Sequence, residues 1–371
     1  MKRIKIDPLL IFSGISLTIF GLLAIYSCTL GDPSLFPVFK KQIMWSVLGV
    51  ILALVALFID TKYLYKYSYL IYIVGAIILL VVLFHGKHVY GAKRWLNIGP
   101  FVVQPSEFAK LANIILLARI LSDTRFSERQ EILQIIKSFI VSGIYTYLIF
   151  KEPDLGTSLV FIISLFAIIF ASGVRWRYIF FMIVLSILSA PLLWFSLKEY
   201  QKFRILVFLN PELDPLKSGY NVIQSKIAIG SGGLWGNGLF HGTQSKLQFI
   251  PKQHTDFIFS VIGEELGFIG ALILLGLFAI LIYRALKIAY LSDDKFDFLL
   301  IIGIVSMITF HMFVNIGMTT GSLPATGLPL PFISSGGSFM LTNWLSIGIL
   351  LNIRSKIKEK RENYGDKKED K

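Results

Sequence analysis

The stretch PKQHTDFIFSVIGEELGFIGALILLGLFA, Pro251–Ala279, sets a histidine and an aspartate directly in front of a long apolar run. The run reads as a membrane-crossing helix over about 258–283. A carboxylate at the lip of a bilayer is costly to desolvate, so Asp256 calls for an explanation. The same alternation of long apolar runs and short polar ones recurs outward along the chain. Of its 371 residues, 55% are hydrophobic and only 16% charged, with a mean hydropathy of +0.70. Soluble domains carry about 25% charged residues. The expectation is therefore an all-α polytopic membrane protein with one membrane domain. Ten transmembrane helices are expected, at about 9–28, 43–59, 68–84, 107–121, 138–152, 157–172, 178–197, 258–283, 298–318 and 337–353. A long extracytoplasmic loop, about 198–257, separates the seventh from the eighth. Residues 1–354 form the membrane domain, and 355–371, SKIKEKRENYGDKKEDK, form a charged cytoplasmic tail too polar to fold alone.

The first apolar run follows MKRIKIDP, which has the look of a signal-peptide n-region. No A-x-A site comes after it and AIYSC is a poor lipoprotein box, so it reads as a retained helix. With both termini in the cytoplasm, the cytoplasmic segments carry most of the Lys and Arg outside the long loop, as the positive-inside rule requires. The net charge of +13 is then topology signal plus tail. Nucleic-acid binding would need a soluble basic face with interleaved aromatics, which this pattern does not supply. The lone Cys28 excludes an intramolecular disulfide and a cysteine metal site, and the histidines lack H-x-x-x-H spacing.

Two outer segments depart from a plain bundle. HGKHVYGAKRWLNIGPFVVQPSEFAKLA, His85–Ala112, is rich in Gly, Trp and charge and runs into a span holding Glu107 and Lys110. The long loop holds GYNVIQSKIAIGSGGLWGNGLF, in which NVIQSKIAI is suited to a short amphipathic helix lying in the interface. The Gly-rich part lacks phosphate-loop spacing and reads as tight turns. Near the end, GLPLPFISSGGS, Gly327–Ser338, is Pro- and Gly-rich. Non-helical backbone at membrane depth is tolerated beside protein or a water-filled cavity, so it is a candidate cavity lining.

Ionisable residues in or at the mouth of apolar spans are functional candidates. They are Arg94, Glu107, Lys110, Glu152, Asp154, Arg204, Asp256, Glu264, Glu265 and His311, and all but the last three fall near the outer face. Each has a structural alternative. Glu107 and Lys110, three apart, can pair on one helical face. Asp154 can cap the helix from Leu155. Glu264 and Glu265 can pair with a neighbouring helix, and His311 can be a hydrogen-bonded bundle residue. Asp256 can be an N-cap, although Thr255 beside it would serve as well. With Lys252 and His254 as charged neighbours, it fits a general base for a substrate that arrives in the membrane.

The motifs GAKRWLNIG, QPSEFAKL, PDLGT, GYNVIQSKIAIGSGGLWGNGL, GTQSKL, HTDFIFSVIGEELG, NIGM and GLPLPFISSGGS, in this order from the first span to the tenth, closely resemble the SEDS family (shape, elongation, division and sporulation). GTQSKL before HTDFIF is similar to the rod-shape branch rather than the division branch. The resemblance implies a ten-helix peptidoglycan glycosyltransferase that polymerises lipid II, a disaccharide-pentapeptide on undecaprenyl diphosphate, on the outer face of the cytoplasmic membrane. It further implies a class B penicillin-binding protein, the crosslinking transpeptidase, as partner, beside membrane lipids and other proteins of the elongation machinery. It makes Asp256 the catalytic residue. The chain departs from the family pattern at Glu152, where glutamine is usual, at Lys252, where an acidic residue is usual, and at Ser335, where tyrosine is usual.

The chemistry expected on that resemblance is an inverting displacement. Asp256 takes the proton of an acceptor hydroxyl as it attacks the anomeric carbon of a strand carried on its diphosphate. Diphosphate is a good leaving group, so the carboxylic acid of a glycosidase is not needed, but positive charge is. Arg94, Lys110 and Arg204 are the candidates, and a divalent cation, Mg or Mn, could share that role. Trp95 could stack on a sugar. Glu107, Asp154, His254 and Ser334 complete the expected substrate-binding set, with no metal ligands among the side chains. The alternatives are a flippase or transporter for the same lipid and a non-catalytic scaffold of the elongation machinery.

Overall fold

A computed structural model describes residues 6–89, 92–99, 101–122, 128–210, 213–214 and 218–369. The chain opens with α1 (Pro8–Gly31), a short 3-10 turn (Pro33–Leu35), α2 (Phe36–Phe58) and α3 (Thr61–His85). Strands β1 (Lys87–Val89), β2 (Ala92–Ile98) and β3 (Phe101–Val103) follow. Then come α4 (Pro105–Ser122), α5 (Glu128–Lys151), α6 (Leu155–Ala171) and α7 (Trp176–Ser196). The outer loop holds α8 (Glu199–Leu209), α9 (Ser218–Ser231) and α10 (Thr243–Lys246), before α11 (Ile258–Tyr290), α12 (Lys295–Thr319) and α13 (Gly337–Glu369).

Each of the ten apolar segments read from the sequence falls on a helix. Among the described residues, six helices are long and apolar enough to cross a membrane: those within Pro8–Gly31, Pro33–Phe58, Thr61–His85, Glu128–Lys151, Ile258–Tyr290 and Lys295–Thr319. Leu155–Ala171 is a shorter apolar helix, and α4 carries Glu107, Lys110 and Arg119 on its length. The α13 backbone runs on through the polar tail to Glu369, where the sequence suggested a segment unable to fold alone. Lys, Glu and Arg are good helix formers, and a helix nucleated in the bundle extends through them at little cost.

Packing follows residue size. Helices α2 and α13 lie along each other, and a Cβ on Gly348 would sit 2.5 Å from the Ala53 carbonyl oxygen. Small residues that let backbones touch are the usual route to helix association where lipid is the solvent. The core is a continuous apolar cluster through α1, α4, α6, α11, α12 and α13.

Three features went unread in the sequence. The first is a small antiparallel sheet, β1–β2–β3, in which Leu96 pairs with Val103 and Ile98 with Phe101 across a turn whose Gly99 has φ +60°. Seven residues of mixed polarity gave no clean alternation, so only closure against β3 specifies the strand. The second is the placement of α9. The helix does not lie free in an interface but packs on α11, and its Ala228 and Val222 join Ile250 and Phe257 in a small second core. The third is a break in α11 at Gly267 (φ 63°, ψ −161°), a conformation open to glycine. Phe268 and Ile269 there donate to the carbonyls of Gly233 and Leu234 (2.9 and 3.1 Å), so the Gly-rich loop plugs the break.

Glu264 and Glu265 serve that plug. Glu264 accepts from the backbone N–H groups of Gln244 (2.7 Å) and Ser245 (3.1 Å) and from the Thr243 hydroxyl (3.2 Å), and Glu265 accepts from Ser27. Glu264 thus holds the outer loop, while Glu265 pairs with a neighbouring helix, α1, as the sequence suggested.

Candidate active site

Helices α4, α6, α11 and α13 start, and α12 ends, at one end of the bundle. Asp256 sits there, in the turn before α11. The turn is closed by the N–H groups of Thr255 and Asp256 donating to the Lys252 carbonyl (3.1 and 3.2 Å). The N-cap of α11 is Phe257, and no side chain caps the helix. Capping is therefore not what Asp256 does. Its side chain is partly exposed, yet burial pushes the carboxyl above its ordinary value, and the nearby Asp154 adds to the rise. Lys252, the Thr255 hydroxyl and Arg204 pull the other way. A carboxylate so balanced is suited to accept a proton.

The loop between α12 and α13 grips this turn. Ser334 Oγ donates to the Thr255 carbonyl (2.6 Å) and accepts from Leu330 N–H (2.8 Å), and Ser335 N–H donates to the His254 carbonyl (3.0 Å). Gln42 in α2 donates to the Ser334 carbonyl (3.3 Å) and accepts from Gly336 N–H (3.1 Å). Asn315 in α12 donates to the carbonyls of Asp256 (2.9 Å) and Leu328 (2.8 Å). A Cβ on Gly327 would lie 3.5 Å from Asp256 Oδ2, so the loop backbone walls one side of the carboxylate. Ser334, expected at the substrate, is 1% exposed and fully engaged in this stitching.

Asp154 caps α6, accepting from Thr157 N–H (3.1 Å). It also pairs with Arg94 Nη1 (3.3 Å), whose Nε donates to the Glu152 carbonyl (2.8 Å) and whose second terminal nitrogen donates to the Pro153 carbonyl. Arg94 thus clamps the turn ahead of α6, which commits much of its fork. Trp95 is the next residue on β2 and faces the other side of the sheet by strand alternation, so the two do not address one ligand together. In that turn, just past α5, Glu152 is 2% exposed. Burial, with Asp154 beside it and Arg94 only partly offsetting, pushes its carboxyl up to about 8. A protonated carboxyl is close to an amide in shape and hydrogen-bonding groups, which accounts for a glutamate at a position where the resemblance leads one to expect glutamine.

Glu107 and Lys110 form a buried ion pair (2.8 Å), at 3% and 2% exposure. Lys110 Nζ also meets His311 Nε2 at 2.9 Å and lies 5.3 Å from the Phe339 ring centroid. Its charge is thus directed inward, to Glu107 and His311. His254 was a candidate cation, but burial and Lys252 hold its imidazole below the ordinary value, against a small pull from Asp32. Among the described residues, the cations whose charge acts on Asp256 are Lys252 and Arg204.

Arg204 lies on α8 beside a cleft lined by Val207, Phe208, Val222, Lys226 and Leu323. Among the described residues no three His, Cys, Asp or Glu side chains converge; a cation shared with a diphosphate would need only one or two carboxylates. Gln42 and Asn315 were missed in the sequence. The available signal was a side-chain amide inside an apolar run, which must find partners where water is absent.

The family described as FtsW/RodA/SpoVE cell cycle protein matches residues 7–359. The Escherichia coli K12 peptidoglycan glycosyltransferase MrdB is 38% identical over 358 residues, covering 95% of this chain and 94% of that protein. A solved structure described as coordinating polymerization and crosslinking by a peptidoglycan synthase complex superimposes with TM-score 0.80 at 29% identity, covering 95% of this chain and 98% of the other. The rod shape determining protein RodA of Thermus thermophilus gives 0.72 at 27% identity, covering 95% and 98%.

Proposed function

The chain belongs to the FtsW, RodA and SpoVE family, and from that premise we propose that it builds glycan strands during cell elongation with Asp256 as general base. It is a polytopic membrane protein and a peptidoglycan glycosyltransferase, like the relatives it matches over nearly their whole length. The acceptor is the sugar hydroxyl of one lipid II. The donor is a strand still linked to undecaprenyl diphosphate. Asp256 removes the acceptor proton as the oxygen attacks the anomeric carbon. The glycosidic bond forms with inversion, the bond to diphosphate breaks, and the diphosphate leaves with its charge. Lys252 and Arg204 are the cations placed to receive it, since the charge of each acts on the Asp256 carboxylate. Arg94 and Asp154 fix the turn that walls the site, and Glu107 with Lys110 sets the field beneath it.

The observation that carries this reading is that Asp256 caps no helix, while Ser334, Ser335 and Asn315 each hydrogen-bond a backbone carbonyl of its turn. A carboxylate held so firmly and spared a structural duty suits proton transfer. The site lies on the outer face of the cytoplasmic membrane with both termini inside, which the distribution of Lys and Arg supports. A class B penicillin-binding protein is the partner that would crosslink the product. In the test, purified protein, with such a transpeptidase present, is given labelled lipid II and the polymer is resolved on a gel. Wild type yields strands and Asp256→Ala does not. No polymer from wild type, or equal polymer from Asp256→Ala, removes the proposal, and transbilayer movement of the lipid without polymer replaces it with a flippase.

A further inference from the structure

One face of α12 presents His311, Asn315 and Thr319 at four-residue spacing, so the three side chains line up along the helix. Each makes or receives a bond to a different part of the site. Thr319 accepts at its carbonyl from Ser225 of α9 (2.7 Å). Asn315, fully buried, spends both amide hydrogens on the carbonyls of Leu328 and Asp256. His311, 1% exposed, contacts Lys110 at Nε2 (2.9 Å) and the Pro329 carbonyl at Nδ1 (3.2 Å).

These contacts fix the proton on His311. An ammonium has no lone pair, so Nε2 must accept from Lys110. A carbonyl has no proton, so Nδ1 must carry the hydrogen and donate it. The imidazole is therefore neutral, with one defined tautomer, and it connects the buried cation to Pro329. Asn315 connects the next residue along, Leu328, to the backbone of Asp256. Leu328 and Pro329 are thus held from one helix face, with Lys110 bonded on one side and Asp256 on the other.

We propose that His311 and Asn315 are positioning residues for the transfer reaction: together they register the turn carrying the base against the buried Glu107–Lys110 pair through Leu328 and Pro329. Neither touches substrate. Their effect is to keep the Asp256 carboxylate at a fixed place in the field of the ion pair, which matters because small misplacement of a reacting group lowers turnover steeply. The proposal rests on the reading of Asp256 as the base.

The test uses the full-length protein with its transpeptidase partner and labelled lipid II, with initial rates measured against lipid II concentration. His311→Leu removes both bonds, and His311→Gln keeps an acceptor for Lys110 and a donor for Pro329. Asn315→Asp keeps the shape but turns a carboxylate oxygen toward two carbonyls. His311→Leu and Asn315→Asp are expected to lower kcat tenfold or more with KM within about twofold, and His311→Gln to recover at least a third of wild-type kcat. Thermal unfolding in detergent is measured on each variant. An unchanged kcat in His311→Leu overturns the proposal, as does a His311→Gln no better than His311→Leu at equal thermal stability. A loss of kcat that disappears when variants are compared at matched distance below their unfolding midpoints also overturns it, leaving a merely structural role. Wild type failing to polymerise would instead refute the underlying reading.

Discussion

The Glu107–Lys110 pair sets up a charge-balance prediction with a pH signature. At 2.8 Å the two charges attract by roughly 6 kcal/mol at an effective dielectric of about 20, against a desolvation penalty of several kcal/mol for each ion. The pair as a whole is then near neutral for stability, but each half alone is costly. In Lys110→Met the stranded Glu107 carboxylate can escape by taking a proton. From an ordinary carboxyl value near 4.3, that costs about 3.7 kcal/mol at pH 7 and only about 1 kcal/mol at pH 5. In Glu107→Gln the stranded ammonium can escape by losing a proton, at about 4.6 kcal/mol at pH 7 from a lysine value near 10.4 and more at pH 5. These figures cap the destabilisation, because the charge is abandoned once holding it costs more. Lys110→Met should therefore be strongly destabilised at pH 7 and largely recover at pH 5. Glu107→Gln should not recover, since His311 supplies only a neutral acceptor. The double variant Glu107→Gln/Lys110→Met buries no charge, and should lose only about 1–2 kcal/mol from the contact to His311 at either pH. The measurement is thermal unfolding of each purified variant in detergent, referred to wild type at the same pH. A Lys110→Met deficit as large at pH 5 as at pH 7, or a double variant as unstable as the two singles summed, would refute the reasoning.

Asp256→Asn should lower polymerisation by about 10²–10⁴, the usual share of a general base, read as product on a gel, while the unfolding midpoint holds or rises because a carboxyl penalised by burial is gone. Glu152→Gln should flatten the pH dependence of stability. Between an ordinary carboxyl value and about 8, folded protein holds a proton that the unfolded chain has lost. Wild-type stability should then fall as pH rises through that window, by up to about 1.4 kcal/mol per unit, and the variant should gain on it in thermal scans from pH 5 to 8. Glu264→Ala removes the acceptor for two backbone N–H groups and a hydroxyl in 243–245, so hydrogen exchange there should rise while α12 stays protected.

Much of the site could be read from residue type and position. An aspartate ahead of an apolar run and a carboxylate three residues from a lysine are local patterns, and Asp256, Glu107 and Lys110 were found by them. The roles divided in ways no local pattern carries. Asp154 and Asp256 both precede helices, yet the structure has Asp154 capping one and Asp256 capping nothing. Arg94 and Ser334 looked like ligands for a substrate, and in the fold they bind backbone. Glu264 and Glu265 looked like partners for another helix; Glu265 does bond α1, but Glu264 anchors a loop twenty residues upstream.

The sequence by itself determined the membrane class, the ten helical segments and the end of the bundle at which ionisable residues gather, because hydropathy and charge are summed along the chain and need no knowledge of neighbours. Only the tertiary structure decided which charges act on Asp256. Lys110 turns inward to Glu107 and His311, while Lys252 and Arg204 act on the Asp256 carboxylate, a division set by which helices meet. The strength of a charge in so apolar a molecule depends on distance and burial more than on residue type, and those are fixed only when α4, α11 and α12 come together.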